Sequence, residues 1–453
     1  MIEHTDYRLA LILPHSRQLL GIPSSGSIGL PVMRIPLWVR PAEQLTKQIE
    51  ARWKIRTIVL DILFETSSET PCAVVEIRTD SWDFKNEGFC IVEPDKICDI
   101  SFAGRQRRSL EVILLGDETN RSPFSRIGWI EGAQRWIQSC VNDHEVIFTG
   151  EICQLNGGGA FCLLRLGTKS GPAYWIKGVG EPNSHEFDIT GFLATHCPEY
   201  LPRIVAMRSD WNAWVMEEFG SSLHNSDSLD DFARAVCRLA DLQIGLVGKS
   251  VELLAARCAD HRTEVLSSHI DEIIDYLDGA MRLQTNTKVS PLTTFRLHEI
   301  RNILHEACFV LQELRIPDSL IHNDISPGSI LGKGTHCVFT DWCEGYVGNP
   351  FITFEQLCVH VARKTDKPEL WVRPLENAYR TRWTDVLTDR QINGALQIVP
   401  LISVLSYLYS RGDWLQSSRR NEPAFLSYSR GLARHMDRIA RGSEFMEATC
   451  QPR

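Results

Sequence analysis

The chain has 453 residues, with 48 Lys and Arg against 57 Asp and Glu and a formal net charge of -9. Hydrophobic residues at 43% and charged residues at 23% exclude a mainly disordered or fibrous chain, and the length exceeds one ordinary core, so two or three packed units are expected. The acidic balance excludes a global basic field for nucleic acid and suits a cationic partner, although acidity of this size also simply aids solubility.

Fourteen Cys are scattered singly from Cys72 to Cys450 without a C-x-x-C pair, which points to buried thiols in a reducing compartment rather than to zinc or disulfide exchange. The N-terminal MIEHTDYRLALILPHSR places His and acids ahead of a short apolar run, unlike a secretory signal, and no run approaches the ~20 apolar residues of a membrane span. A cytoplasmic protein with no membrane partner is expected.

In chain order, the apolar runs Leu9 to Leu13, Thr57 to Leu63 and Ala73 to Ile77 predict strands. Between them Pro41 opens a helix in which Leu45, Ile49 and Trp53 recur every four residues. Residues 1–118 are therefore expected to form a small α/β module, and the polar stretch GDETNRSPFS predicts a linker over 119–126. Trp129, Trp136, Ile137 and Cys140 then fall at helical spacing, and strand-like segments follow to about Met216. From Ser228, a capping residue answered by Asp231, the texture becomes helical. The clearest helix is Thr293 to Arg315, with Leu297, Ile300, Leu304, Ala307, Leu311 and Leu314 on one face and Pro317 after it. No internal repeat or low-complexity tract is present.

After that helix comes Ile321-His322-Asn323-Asp324-Ile325-Ser326-Pro327-Gly328-Ser329-Ile330-Leu331, then Val338-Phe339-Thr340-Asp341-Trp342. Phosphoryl transfer needs an acid beside the attacking hydroxyl and oxygen ligands for magnesium, because the protein mainly positions charges around a phosphate. Asp324 and Asp341 supply two such carboxylates; the bland alternative is that each caps a turn.

This loop resembles the His-x-Asp-x-x-x-x-Asn loop of the aminoglycoside phosphotransferase and choline kinase family, itself related to the protein kinases. The resemblance implies an α+β, bilobal protein kinase-like fold, with a β-rich N-lobe over 127–220, a helical C-lobe over 221–442 and a tail over 443–453. It implies ATP and Mg2+ as cofactors and transfer of the γ-phosphoryl group to a hydroxyl of a small, perhaps cationic, molecule. Asp324 would accept the hydroxyl proton, His322 would brace the loop, and Asp341 would hold magnesium. The expected Asn is Ser329 here, a weaker second metal ligand, so a nucleotide-binding or scaffold protein without turnover is the rival reading.

Upstream, the family leads one to look for a glycine turn, a strand lysine and a helix glutamate. Gly157, Gly158 and Gly159 could bring bare amides to phosphate. Lys177 ends the strand-like Ala173 to Lys177, and Glu186 could pair with it, though an ordinary surface ion pair is the plainer reading. The stretch from Glu217 through Phe219 to Gly220 would mark the lobe boundary, where backbone groups receive the base. Glu344 could face the substrate or cap its turn, and capping is preferred. The acids of Asp271 to Asp278 read as the wet side of a helix, and His185, His298, His305, His336 and His360 show no ligand spacing.

The N-terminal module is similar to the Nudix hydrolase fold through Leu30-Pro31-Val32 and the helix Ala42 to Trp53. Gln48, Ala51 and Arg52 stand where the Nudix helix carries its acids, so an inactive accessory or dimerisation module is expected.

Overall fold

The structure is a computed structural model and describes residues 3–24, 27–37, 39–63, 70–79, 81–97, 104–116, 122–141, 146–159, 161–416 and 420–442. These form two compact units, one of residues 1–187 with 203–218 and one of 188–202 with 219–453.

The first unit begins with β1 (His4–Leu13), β2 (Gln18–Ser24), β3 (Ser27–Gly29), β4 (Val32–Pro36), α1 (Pro41–Trp53), β5 (Thr57–Leu63), β6 (Cys72–Ile77), β7 (Cys90–Val92) and α2 (Arg105–Leu115). The seven strands form one sheet, ordered β3-β2-β1-β6-β5, with β4 on β1 and β7 on β2. The β1–β6 pairing is parallel, and the others are antiparallel. Alternation along the strands sorts the side chains. Leu9, Leu11, Ala73 and Val75 pack with Leu45, Ile49 and Trp53 of α1, whereas Ala10, Ile12, Val74 and Ile58 face the opposite way, as the two-residue period requires. The expected α1 stripe is therefore its buried face.

That second face does not stop at the module. It shares one core with α3 (Trp129–Cys140), β8 (Phe148–Asn156), β9 (Phe161–Thr168), β10 (Tyr174–Val179) and β12 (Ala213–Glu217), through Ile130, Ala133, Ile137, Cys162, Leu164, Ile176 and Val215. Full burial of each large aliphatic contributes roughly 1.5–3 kcal/mol. The expected linker is not a solvated tether: residues 119–121 lie outside the described residues, but Ser122 caps a 3-10 turn in which Phe124 and Ser125 are buried. A second sheet, ordered β11-β12-β10-β9-β8 with β11 at Ile204–Arg208, is antiparallel throughout. The helix α4 (Glu186–His196) connects β10 to β11, and the division between the units falls within it.

The second unit is mainly helical. It contains β13 (Ser221–Ser222), α5 (Leu229–Gly245), α6 (Ser250–Ala255), β14 (Ala259–His261), α7 (Thr263–Ser268), α8 (Ile270–Arg282) and α9 (Thr294–Leu314). There follow β15 (Ser319–His322), β16 (Ile330–Lys333), β17 (His336–Phe339), β18 (Gly345–Gly348), α10 (Phe351–Ala362), α11 (Glu369–Trp383), α12 (Asp389–Arg411) and α13 (Pro423–Ala440). Ser228 caps α5 by accepting the Asp231 N–H, and Thr293 caps α9 by accepting that of Arg296. The α9 stripe is buried as its spacing predicts. Among the described residues α12 is the one helix long and apolar enough to cross a membrane, and most of it is buried inside the protein; its polar Asn393 and Gln397 break the run that a sequence reader would look for.

Two small sheets frame the segment between α9 and α10, ordered β13-β16-β17 and β14-β18-β15. One bounds each side of the loop carrying Asp324. Gly220, at φ +47°, enters the first of them where a Cβ would lie 2.0 Å from the Gly332 carbonyl oxygen, so only glycine fits.

Candidate functional site

In the first unit, Lys177 lies within β10 rather than at its end, between Leu163 of β9 and Trp214 of β12. The strand continues because residue 178 is glycine: a Cβ there would meet the Phe124 ring at 2.0 Å. Ile176 faces the large core, and Lys177 faces the other side, with Nζ 5.4 Å from the Phe161 ring centre and 5.7 Å from that of Trp214. Its partner is Glu186, Nζ to Oε1 2.6 Å, and the side chains are only 4% and 2% exposed. The surface-pair alternative is therefore excluded. Two buried ions need each other, since either alone carries a desolvation penalty of several kcal/mol. Asn212 helps to place Glu186, donating to the Val179 and Ser184 carbonyls at 2.8 and 2.9 Å and so fixing the loop that leads into α4.

The Gly157-Gly158-Gly159 turn joins β8 to β9 and is seated on the N-terminal module. A Cβ at Gly157 would lie 2.6 Å from the Val59 carbonyl oxygen and 2.2 Å from Gln154 Nε2, so close approach of the module explains that glycine. Gly158 has φ +152°. The Gly159 N–H donates to Asp61 Oδ1 at 3.3 Å. Glu217 ends β12 and accepts from Arg203 Nη1 at 2.7 Å. The units divide between Glu218 and Phe219, within the stretch expected to mark a boundary.

In the second unit, His322 ends β15 with its ring buried. Its N–H donates to Thr353 Oγ1 at 2.9 Å, and Nε2 lies 2.9 Å from the Thr340 carbonyl oxygen. The ring also packs against Trp342, centroids 4.7 Å apart. His322 thus ties the residue before Asp341 to the loop that presents Asp324. Asn323 is buried, with Oδ1 accepting from Gln356 Nε2 at 2.8 Å, and its N–H donates to the Glu344 carbonyl at 2.8 Å. The side chains on either side of Asp324 are locked, while Asp324 keeps part of its surface open at the loop although the protein around it partly desolvates its carboxyl. Asp341 is also exposed and sits at φ +70°, the left-handed region, a conformation costly for a non-glycine residue and frequent at functional sites.

The two acids are electrically coupled. Burial raises the Asp324 pKa above the usual carboxylate range, the neighbouring His322 lowers it, and the charge of Asp341 raises it again. Glu344, closing the 3-10 turn after Asp341, is pushed up to about 7, by burial first and by Asp324 second, against hydrogen bonds from Asn323 and Tyr346. One of its oxygens, Oε2, is buried without a hydrogen-bond partner. Glu344 is thus more than a turn residue; its place three positions after Asp341 was the only sequence signal.

Ser329 is held in its own turn. Its hydroxyl donates to the Ser326 carbonyl at 2.9 Å and accepts the Ser326 N–H at 3.1 Å, completing a capping box, and the residue is 4% exposed. The turn thus uses the hydroxyl hydrogen and one of its two lone pairs. Among the described residues no group of three or more His, Cys, Asp or Glu is built to hold a metal. Magnesium, however, is commonly held by one or two carboxylates together with substrate phosphates and water. Asp341, exposed on the loop, fits a cation that arrives with a phosphate ligand, while the Ser329 hydroxyl is engaged in its own turn.

No family model matches the chain, and no curated protein matches it. Among solved structures, it is similar to a choline/ethanolamine kinase family protein from Mesorhizobium loti, at 16% identity and TM-score 0.47 over 71% of this chain and 98% of that one. It is similar to an ethanolamine kinase of Plasmodium vivax at 14% and 0.46, over 76% and 96%, and to a macrolide 2'-phosphotransferase of Brachybacterium faecium at 13% and 0.44, over 67% and 96%. Likeness at this level carries no chemistry, which rests on the chain's own residues.

Proposed function

We propose that this chain is an ATP-dependent phosphotransferase of the aminoglycoside phosphotransferase and choline kinase type, with a bilobal kinase-like body, acting on a hydroxyl of a small molecule. The observation that carries this reading is the loop in which His322 Nε2 lies 2.9 Å from the Thr340 carbonyl oxygen, tying the residue before Asp341 to the segment that presents Asp324. Asp324 accepts the proton of the acceptor hydroxyl as its oxygen bonds to the γ-phosphorus; the bond to the β–γ bridging oxygen breaks, and ADP leaves. A carboxylate with a raised pKa is a better proton acceptor than an ordinary aspartate. Lys177, held by Glu186, neutralises phosphate oxygens, and backbone groups from Glu217 to Phe219 receive the base. Bound magnesium, on Asp341, would supply charge neutralisation at the phosphates. The net charge of -9 and the unpartnered Glu344 oxygen support a cationic acceptor.

The commitment of Ser329 to its cap supports a second reading, nucleotide binding without turnover. Transfer of the terminal phosphate of ATP or GTP to a panel of amino alcohols, aminoglycosides, macrolides and sugars separates the two. Ser329→Asn then shows whether the metal site was impaired, because restored amide chemistry would raise magnesium affinity and turnover together.

Residues 1–118 are read as an accessory module of Nudix-like shape without hydrolase chemistry. Glu43 on α1 pairs with Lys47 at 2.6 Å, and Glu50 is the one other acid on that helix.

A further inference from the structure

The glycine turn already has an anion against it, supplied by the N-terminal module. Arg56, Val59 and Asp61, in β5 and the stretch leading into it, make three contacts with β8 and the turn that follows. Arg56 Nη1 donates to the Gly150 carbonyl at 2.9 Å. The Val59 N–H donates to Gln154 Oε1 at 2.7 Å while Gln154 Nε2 donates to the Val59 carbonyl at 2.8 Å, so one buried carboxamide completes a strand-like pair. Asp61 then accepts the Gly159 N–H. The carboxylate is itself placed by the Ile62 N–H at 2.9 Å and by the hydroxyl of buried Ser125 at 3.5 Å. The bulge in β5 between Val59 and Asp61 turns this side chain toward the glycines.

An amide has one hydrogen. While the Gly159 N–H points at Asp61 it cannot serve a phosphate oxygen, which is the role the phosphotransferase reading gives to this turn. We propose that Asp61 is a positioning residue that competes with nucleotide phosphate for the Gly159 amide, so that the N-terminal module restrains nucleotide binding through this carboxylate. The inference rests on the phosphotransferase reading and deepens it. Gly158 gives the peptide the freedom to turn over when a phosphate replaces the carboxylate.

The test uses the full chain as wild type, Asp61→Ala and Asp61→Asn. Dissociation constants for Mg·ATP and Mg·GTP are measured by calorimetry, and hydrogen exchange of residues 157–163 is followed without nucleotide. Asp61→Ala should tighten binding roughly tenfold, the worth of one charge-assisted hydrogen bond, and Asp61→Asn by about threefold, because its neutral oxygen still accepts but more weakly. Exchange at Gly159 should quicken in the alanine variant. Tightening cannot come from damage to the fold, which would weaken binding. Wild-type binding that is unchanged or weakened in both variants overturns the competition and leaves the phosphotransferase reading standing. Absence of nucleotide binding in all three proteins overturns both.

Discussion

Two charged clusters of this protein are balanced in opposite ways. Lys177 and Glu186 are withdrawn from water as a matched pair, each neutralising the other at 2.6 Å. Asp324, Asp341 and Glu344 gather charge of one sign, and the raised pKa of Asp324 and of Glu344 reflects burial first, with the neighbouring like charge adding to it. A matched pair is already satisfied and serves as a fixed support. A like-charged group holds repulsion that a cation relieves, so it is suited to receive one. On the proposed function, the contrast leaves Lys177 held in place for a phosphate by Glu186 and puts the reacting role on the loop.

Substitution at the loop should therefore damage chemistry, and substitution at the pair should damage the fold. Asp324→Asn should lower kcat by roughly 10²- to 10⁴-fold, the worth of a positioned general base, while the melting temperature stays near that of the wild type. Lys177→Met should leave Glu186 buried without its partner and cost about 3–5 kcal/mol in a denaturant titration. Lys177→Met with Glu186→Leu should recover most of that loss, because no lone buried charge remains. If the double variant is as unstable as the single one, the pair is not the support described.

Glu344 sharpens the comparison through pH. Its pKa in the folded chain is raised from 4.5 to about 7, so the folded state binds this proton more tightly than the unfolded state. Stability should therefore fall as pH rises from about 4.5 through about 7 and level off above it. Glu344→Gln should flatten that part of the melting profile; an unchanged slope would remove Glu344 from the repelling group. The smallest effect is expected at Ser329. Ser329→Ala removes the capping box and should cost about 1 kcal/mol, with magnesium affinity unchanged.

Much of this was legible in the sequence because it is local. The four-residue stripe of α1, the cap and stripe of α9, and the buried-helix, loop and acid order around Asp324 are periodic or adjacent features. The lysine and glutamate of the pair lie nine positions apart and were found together, although their burial depends on strands far away in sequence. What was hidden depends on distant partners. The seat of the glycine turn joins residues 95 and 98 positions apart, and nothing in Asn-Gly-Gly-Gly shows that Val59 and Asp61 fill the space beside it. Ser329 shows a second limit: a hydroxyl in a polar loop can serve as a metal ligand or a cap, and its place in a capping box is seen only in its hydrogen bonds. The stretch expected as a linker failed for a third reason, since Phe124 and Ser125 look like turn residues until the glycine at 178 makes room for the Phe124 ring.

The central claim is tested most directly by following the terminal phosphate. Wild type and Asp324→Asn are incubated with magnesium and γ-labelled ATP or GTP over the acceptor panel, and small-molecule phosphate esters are separated and counted. The account predicts labelled ester from the wild type and its near-complete loss in the variant, with nucleotide binding preserved in both. Equal labelling by the two proteins, or a wild type that binds no nucleotide with magnesium, would contradict it.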